Sequence, residues 1–272
     1  MSVINTNVKS LVAQNALSVN NRSLSKTMEQ LSTGKRINSA ADDAAGLAIS
    51  NKMTAQIRGL NQAVRNANDG ISMLQTAEGA TQEITNMLQR MRELAVQAAN
   101  DTYSADDRTA IGDEIGQLEA EIDRIAGNTT WNGVAVLATE ESYMLQVGML
   151  DNSSDEVEIT FLAMTSSELG VTGLSVASHT AAQTSIGKLD DAIAEVDAFR
   201  SDLGAMVNRL NYAADNLSNV SLNTAASRSR IQDTDYAQAT TELARTQIIQ
   251  QAATAMLAQA NQQPSAVLSL LK

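Results

Sequence analysis

Apolar residues recur along this chain at alternating steps of three and four for much of its length. Ile57, Leu60, Val64, Ala67, Ile71 and Leu74 form one run. Ala77, Thr81, Ile84, Leu88, Met91, Ala95 and Ala98 continue it after one stutter. That spacing keeps a single seam facing a partner helix, and a helix of about 50 residues is roughly 75 Å long. A second stripe, Ile111, Ile115, Leu118, Ile122 and Ile125, follows the capping-rich stretch 100–107 and stops at Gly127-Asn128. A third runs through Ile186, Leu189, Ile193, Val196, Leu203, Val207, Leu210, Ala214 and Leu217. Three such stripes pack lengthwise. The pattern predicts a mainly α chain built as a long helical coiled-coil rod.

Between the second and third stripes the period shortens. Asn132-Gly133 is a hairpin turn signal, and Val134–Leu137, Tyr143–Val147 and Val157–Phe161 have strand composition. Gly148 and the polar run Asp151–Asp155 separate the last two. Two or three short strands are expected in a β-hairpin region of about 132–165, with residues 166–184 read as a small, polar loop. The chain ends resemble each other. Ile4, Val8, Leu11, Leu17, Leu24, Met28 and Leu31 lie among Asn, Ser and Gln; Ile249, Ala253, Met256, Ala260, Val267 and Leu270 lie among Gln, Thr and Ala. Neither stripe can hold a lone helix in water, because most helical stability comes from packing. The ends need each other or another molecule, and disorder until assembly is expected of them. Gly59, Gly70 and Gly79 interrupt the long stripe, marking either close packing, the favoured reading, or a deformable rod.

Composition sharpens this picture. Of 272 residues 43% are apolar but only 3% aromatic, so alanine-lined seams suit the chain better than a broad core. One proline fits long helices. The absence of cysteine excludes a disulfide scaffold, a thiol nucleophile and Cys-ligated metal, and a single histidine excludes multi-histidine metal sites. No apolar run is long enough to span a membrane, and no cleavable secretory leader is expected at the start. Residues 1–68 carry eight basic against three acidic side chains, residues 69–200 six against twenty-three, and residues 201–272 five of each. The acidic middle does not suit nucleic acid. The ends, one mildly basic and one balanced, look like protein-contacting surfaces.

Candidate chemistry is sparse. Ser32-Thr-Gly-Lys-Arg36 brushes the phosphate-loop pattern, but Glu29 stands where the first glycine belongs and Arg36 where Ser or Thr belongs. Asp151–Asp155 lacks the glycine and terminal glutamate of a calcium loop. His179 has no evident triad partner, and Asp42-Asp43 and Glu140-Glu141 do not share a helix face. No catalytic, cofactor or metal residues are assigned, and the chain is read as no enzyme.

Longer strings carry a specific resemblance. Ile4–Asn7, Leu31–Ser39, Asp42–Ile49, Gln89–Gln97, Trp131–Gly133, Ser229–Ile231, Leu257–Asn261 and Val267–Leu271 are similar to bacterial flagellin. The similarity covers essentially all but about residues 138–185, in a short form without the outer variable domains. The resemblance implies residues 1–44 with 232–272 as a terminal coiled-coil domain disordered in the monomer, and residues 45–231 as a helical rod domain. It implies a structural subunit that self-assembles into the extracellular flagellar filament for motility, exported by the flagellar type III apparatus. Implied partners are other copies, hook-associated junction and cap proteins, a secretion chaperone on the C-terminal helix and host pattern-recognition receptors, with neither nucleic acid nor membrane insertion. Filament-core packing falls to Ile4, Leu11, Leu24, Leu31, Ile249, Met256, Val267 and Leu270. The resemblance carries vertebrate Toll-like receptor recognition to Gln89, Arg90, Leu94 and Glu114, and plant recognition to residues 29–50, where Gln30, Lys35 and Ala41 depart from the common form. The alternative within the resemblance is a flagellin-like hook–filament junction protein. From another class, a lipid-surface protein is disfavoured by the scarcity of Trp and Phe and of basic rows beside the apolar stripes.

Overall fold

The fold comes from a computed structural model that describes residues 6–150 and 152–270, with side chains as far as Gln262. Helices α1 (Val8–Thr33), α2 (Ala44–Ala98), α3 (Ala105–Asn128), α4 (His179–Gln232) and α5 (Tyr236–Leu270) carry most of the chain. Strands β1 (Thr130–Trp131) and β2 (Val134–Ala135) form one antiparallel hairpin. Strands β3 (Glu141–Gln146) and β4 (Glu156–Phe161) form another, in register from Glu141 opposite Phe161 to Gln146 opposite Glu156. The chain divides into two compact units, one of residues up to Gln56 with Asn223 onward and one of Ile57–Leu222.

The central unit has a continuous apolar core. On α2 the buried positions include Leu60, Ala63, Ala67, Gly70, Leu74, Ala77, Thr81, Ile84, Leu88, Met91, Ala95 and Ala98, a strict three–four alternation. The expected stutter is absent: Ala63 holds the seam where Val64 was expected, and Gly70 joins it beside Ile71. Gly70 is there because the hairpin comes close. A Cβ on it would lie 2.8 Å from a Leu145 methyl and 3.3 Å from one of Leu210. One on Gly59 would meet Met149 at 3.2 Å, whereas one on Gly79 would meet nothing within 4 Å. Close packing therefore explains Gly59 and Gly70 but not Gly79. On α4 the matching seam is Ala182, Ser185, Leu189, Ala192, Val196, Phe199, Leu203 and Leu210.

A capping box starts α3. The Ser104 hydroxyl accepts from the Asp107 amide, and the Asp107 carboxylate accepts from the Ser104 amide. On β4 the alternate residues Val157, Ile159 and Phe161 are buried, as a half-buried strand requires. Phe161 meets Tyr143 edge-on at 5.9 Å.

The segment expected as a polar loop differs. Leu169, Val171 and Val176 are buried in the core, and α4 begins already at His179. Polar anchors fold the segment down, since Asp123 accepts from the Ser166 amide and hydroxyl and Glu119 accepts from the Gly173 amide. Gly170 and Gly173 supply the positive φ angles that its turns need.

Candidate functional site

In the terminal unit α1 and α5 run antiparallel, tied by hydrogen bonds that pair their far ends. The Asn7 amide donates to the Ala260 carbonyl at 2.8 Å, Asn20 to the Thr246 carbonyl at 2.9 Å and Gln250 to the Asn21 side chain at 3.2 Å. The seam follows a heptad on both helices. Ser10, Ala13, Leu17, Asn20, Leu24, Thr27 and Leu31 of α1 are buried or half-buried, as are Ala239, Leu243, Thr246, Gln250, Ala253, Leu257 and Ala260 of α5. The most deeply buried of them are mainly polar: Ser10, Asn20, Thr27 and Thr246, with Ala239. Such a seam specifies register and sacrifices stability.

Several large apolar residues are instead turned outward. Val8, Val12 and Val19 lie along one exposed ridge of α1, and Val12 keeps 64% of its surface. On α5, Ile248 keeps 66% and Met256 65%, with Ile249 and the small Ala252 and Ala255 beside them. No charged residue occurs from Thr246 to Leu271. Of the residues assigned to filament-core packing, Leu11, Ile249 and Met256 lie on outward faces, while Leu24 and Leu31 are in the α1–α5 seam. Ile4 lies outside the described residues, as do the side chains of Val267 and Leu270.

A clasp closes the base of this pair. Gly34 ends α1 in the left-handed region at φ 68°. There it accepts from the Thr234 amide, while the Arg36 amide donates to the Gln232 carbonyl and its guanidinium to the Ile231 carbonyl. The string that brushed the phosphate-loop pattern is thus a helix stop. Asp42 fixes the next turn: one carboxylate oxygen accepts from the Asn38 and Ser39 amides and the Ser39 hydroxyl, and the other pairs with Lys26 at 2.8 Å. The ammonium and the two amides hold this carboxyl well below the usual carboxylate range.

In the central unit, the Arg90 guanidinium bridges α2 to α3 through Glu114 at 2.8 Å and also pairs with Glu93. These carboxylates raise its pKa above the ordinary arginine value. Gln89, Arg90 and Glu114 share an exposed neighbourhood. Leu94 does not join them. Only 2% exposed, it belongs to the core beside Met91, Ala95 and Ala98. On the same helix Arg92 pairs with Asp190 of α4, which lowers the pKa of that carboxyl.

The remaining candidates have structural partners. His179 bonds the Ala99 carbonyl at 2.6 Å. Asp155 accepts from the Leu150 amide, holding the tip between β3 and β4. Among the described residues no group of three metal-binding side chains gathers, and no helix is long and apolar enough to cross a membrane.

Known proteins match this arrangement along the chain. The profile of the bacterial flagellin N-terminal helical region matches residues 4–142, and that of the C-terminal helical region matches residues 186–271. The chain belongs to the bacterial flagellin family. It is 47% identical to the flagellin of Halalkalibacterium halodurans, over 99% of this chain and 100% of that protein. It is 43% identical to a flagellar filament 33 kDa core protein of Treponema phagedenis, with the same coverage. The crystal structure of Bacillus cereus flagellin matches at 36% identity and a TM-score of 0.50, over 56% of this chain and 88% of that one. A putative flagellar hook-associated protein from Vibrio parahaemolyticus, 15% identical, shares the fold with a TM-score of 0.59 over 71% of this chain and 100% of that one. This flagellin is a structural subunit of the extracellular flagellar filament, and the filament is a homo-oligomer. A junction-protein role is not favoured, because the full-length relatives are filament proteins.

Proposed function

We propose that the outward apolar faces of α1 and α5 are the surfaces through which subunits join in the filament core. The observation that supports this reading is the inversion of the terminal pair, with Ser10, Asn20, Thr27 and Thr246 buried between the helices and Val8, Val12, Val19, Ile248 and Met256 outside. Soluble monomers gain nothing by exposing such residues, and burial in a polymer stabilises each large apolar side chain by about 1.5–3 kcal/mol. Contacts between unlike surfaces that do not close into a ring generate an open helix. In this reading residues 1–44 and 232–272 order fully on assembly, while residues 45–231 are stable alone. Leu11 extends the same contact, and Leu24 and Leu31 support it from the seam.

The likeness to flagellins supports further partners, some on these faces and some on the central unit. Hook-associated junction and cap proteins would meet the terminal faces at the filament's ends. A secretion chaperone would cover α5 before export through the flagellar type III apparatus. Host receptors would read Gln89, Arg90 and Glu114, and the plant-recognised segment would be residues 29–50.

The deciding experiment is Met256→Asp. The side chain is largely exposed in the monomer, so far-UV circular dichroism and melting should be unchanged. In a water-poor interface the unpaired carboxylate costs several kcal/mol, repeated at every subunit. Seeded polymerisation followed by light scattering should fail. Normal filament growth would remove α5 from the core contact.

A further inference from the structure

We infer that Asn132 is a site of spontaneous covalent change, losing its side-chain amide to attack by the neighbouring Gly133 nitrogen. Asn132-Gly133 is the single Asn–Gly pair in the sequence. It forms the two-residue turn between β1 and β2, with φ of 50° and 81°. A two-residue hairpin turn of this kind needs positive φ at both positions. Both residues are exposed, and a Cβ placed on Gly133 would meet nothing within 4 Å, so the turn stands clear of the rest of the fold. Among the described residues the Asn132 side chain makes no hydrogen bond. The Asn–Ser pairs differ: Asn38 donates to the Lys35 carbonyl, and Asn152 accepts from the Asp155 amide. The related Asp69-Gly70 pair lies inside α2, where helical pairing fixes the backbone.

The chemistry balances without any co-reactant but water. The Gly133 nitrogen bonds to Cγ of Asn132, the Cγ–Nδ2 bond breaks, and ammonia leaves with the proton given up by Gly133. Water then opens the five-membered imide at either carbonyl, yielding aspartate or isoaspartate. Ring closure needs the Asn132 backbone and side chain to rotate, so attack follows opening of the hairpin. Strands of two residues open readily. Isoaspartate routes the main chain through an extra carbon, and a two-residue turn cannot reclose around it.

The consequence reaches the core. Val136 and Leu137, which follow β2 directly, are fully buried. The Val136 amide donates to the Thr129 carbonyl, and the Leu137 carbonyl accepts from Met164. Trp131, the chain's one tryptophan, packs against that core beside the reacting residue. Its fluorescence reports whether the hairpin is closed.

The test is incubation of the full chain at mildly alkaline pH and body temperature. Peptide mapping locates the amide-to-acid mass change, enzymatic isoaspartyl methylation counts isoaspartate, and Trp131 emission is followed in parallel. Conversion should concentrate at Asn132, with emission shifting to the red as isoaspartate accumulates. Asn132→Gly keeps a turn that glycine adopts freely while removing the electrophile, so it should show no isoaspartate at that peptide and stable emission. Two results would overturn the inference: an intact Asn132 after other asparagines have converted, or an equal emission shift in Asn132→Gly.

Discussion

Single residues set two ionic features, and each has a distinct consequence. Asp42 receives four donors on one carboxylate, so its folded pKa lies below the unfolded value of 3.8. A depressed pKa contributes stability that is present above that value and lost as the pH falls through the folded pKa. Melting followed from neutrality down to about pH 1.5 should therefore show stability falling once the pH drops below the unfolded value in the wild type. A neutral amide at this position cannot ionise, so Asp42→Asn should melt lower at neutral pH and flatten that fall; parallel profiles would show that Lys26 and the two amides do not depend on the charge. Arg90 makes the second case. If Gln89, Arg90 and Glu114 form the receptor-facing surface, Arg90→Ala should weaken receptor signalling by the monomer roughly tenfold or more, as loss of an interfacial arginine typically does. Leu94→Ala would instead act through stability, since that side chain is buried. A folded Arg90→Ala protein with full signalling would refute the assignment.

At the scale of the element, Gly79 and Gly70 separate propensity from packing. Both lie inside α2, where alanine is favoured over glycine by about 1 kcal/mol. Gly79→Ala fills open space and should raise stability by about that amount. Gly70→Ala must displace the Leu145 and Leu210 methyls, so chemical denaturation should show a clearly smaller gain or a loss; equal gains would mean that the hairpin does not press on α2. These glycines also show where sequence reading ends. The long helices and most of the stripes on α2, α3 and α4 were legible because spacing alone encodes them, whereas the start of α3 at Ala105, inside the capping-rich stretch 100–107, was not. The choice of Ala63 over Val64 was not, because both are apolar and only the approach of other elements selects the face. The segment 166–184, expected as a small polar loop, differs for a related reason: its apolar residues Leu169, Val171 and Val176 follow no period and are placed by Asp123, Glu119 and two positive-φ glycines, and from His179 it is already helical. The terminal stripes were visible as stripes. That α1 and α5 would pair through Ser10, Asn20, Thr27 and Thr246, leaving valines outside, was not, because a pattern ranks residues by hydrophobicity and an assembling protein reserves its apolar face for a later partner.

For the whole molecule, the two units differ sharply in what holds them. Among the described residues the terminal unit buries only Ile37 and Ala239 as apolar side chains, beside Ser10, Asn20, Thr27, Ser50 and Thr246. The central unit buries Leu74, Ile84, Leu88, Met91, Ile115, Ile122, Phe161 and Leu189 in one continuous cluster. Hydrophobic burial dominates folding free energy, and regions with few buried apolar contacts open at the low end of the stability range. Dilute monomer should therefore exchange the amides of α1 and α5 far faster than those of α2 between Leu74 and Ala98. Brief trypsin treatment should cut first at Lys35, Arg36, Arg230 and Arg245. A resistant fragment close to residues 45–231 should remain and still melt cooperatively. Polymerisation should then protect α1 and α5 selectively, because the new contacts form on the faces that carry Val12 and Met256, and the added protection should disappear when filaments are dissociated. Equal exchange in both units of the monomer would mean that the polar seam is sufficient by itself. The outward apolar faces would then need a purpose other than completing the fold.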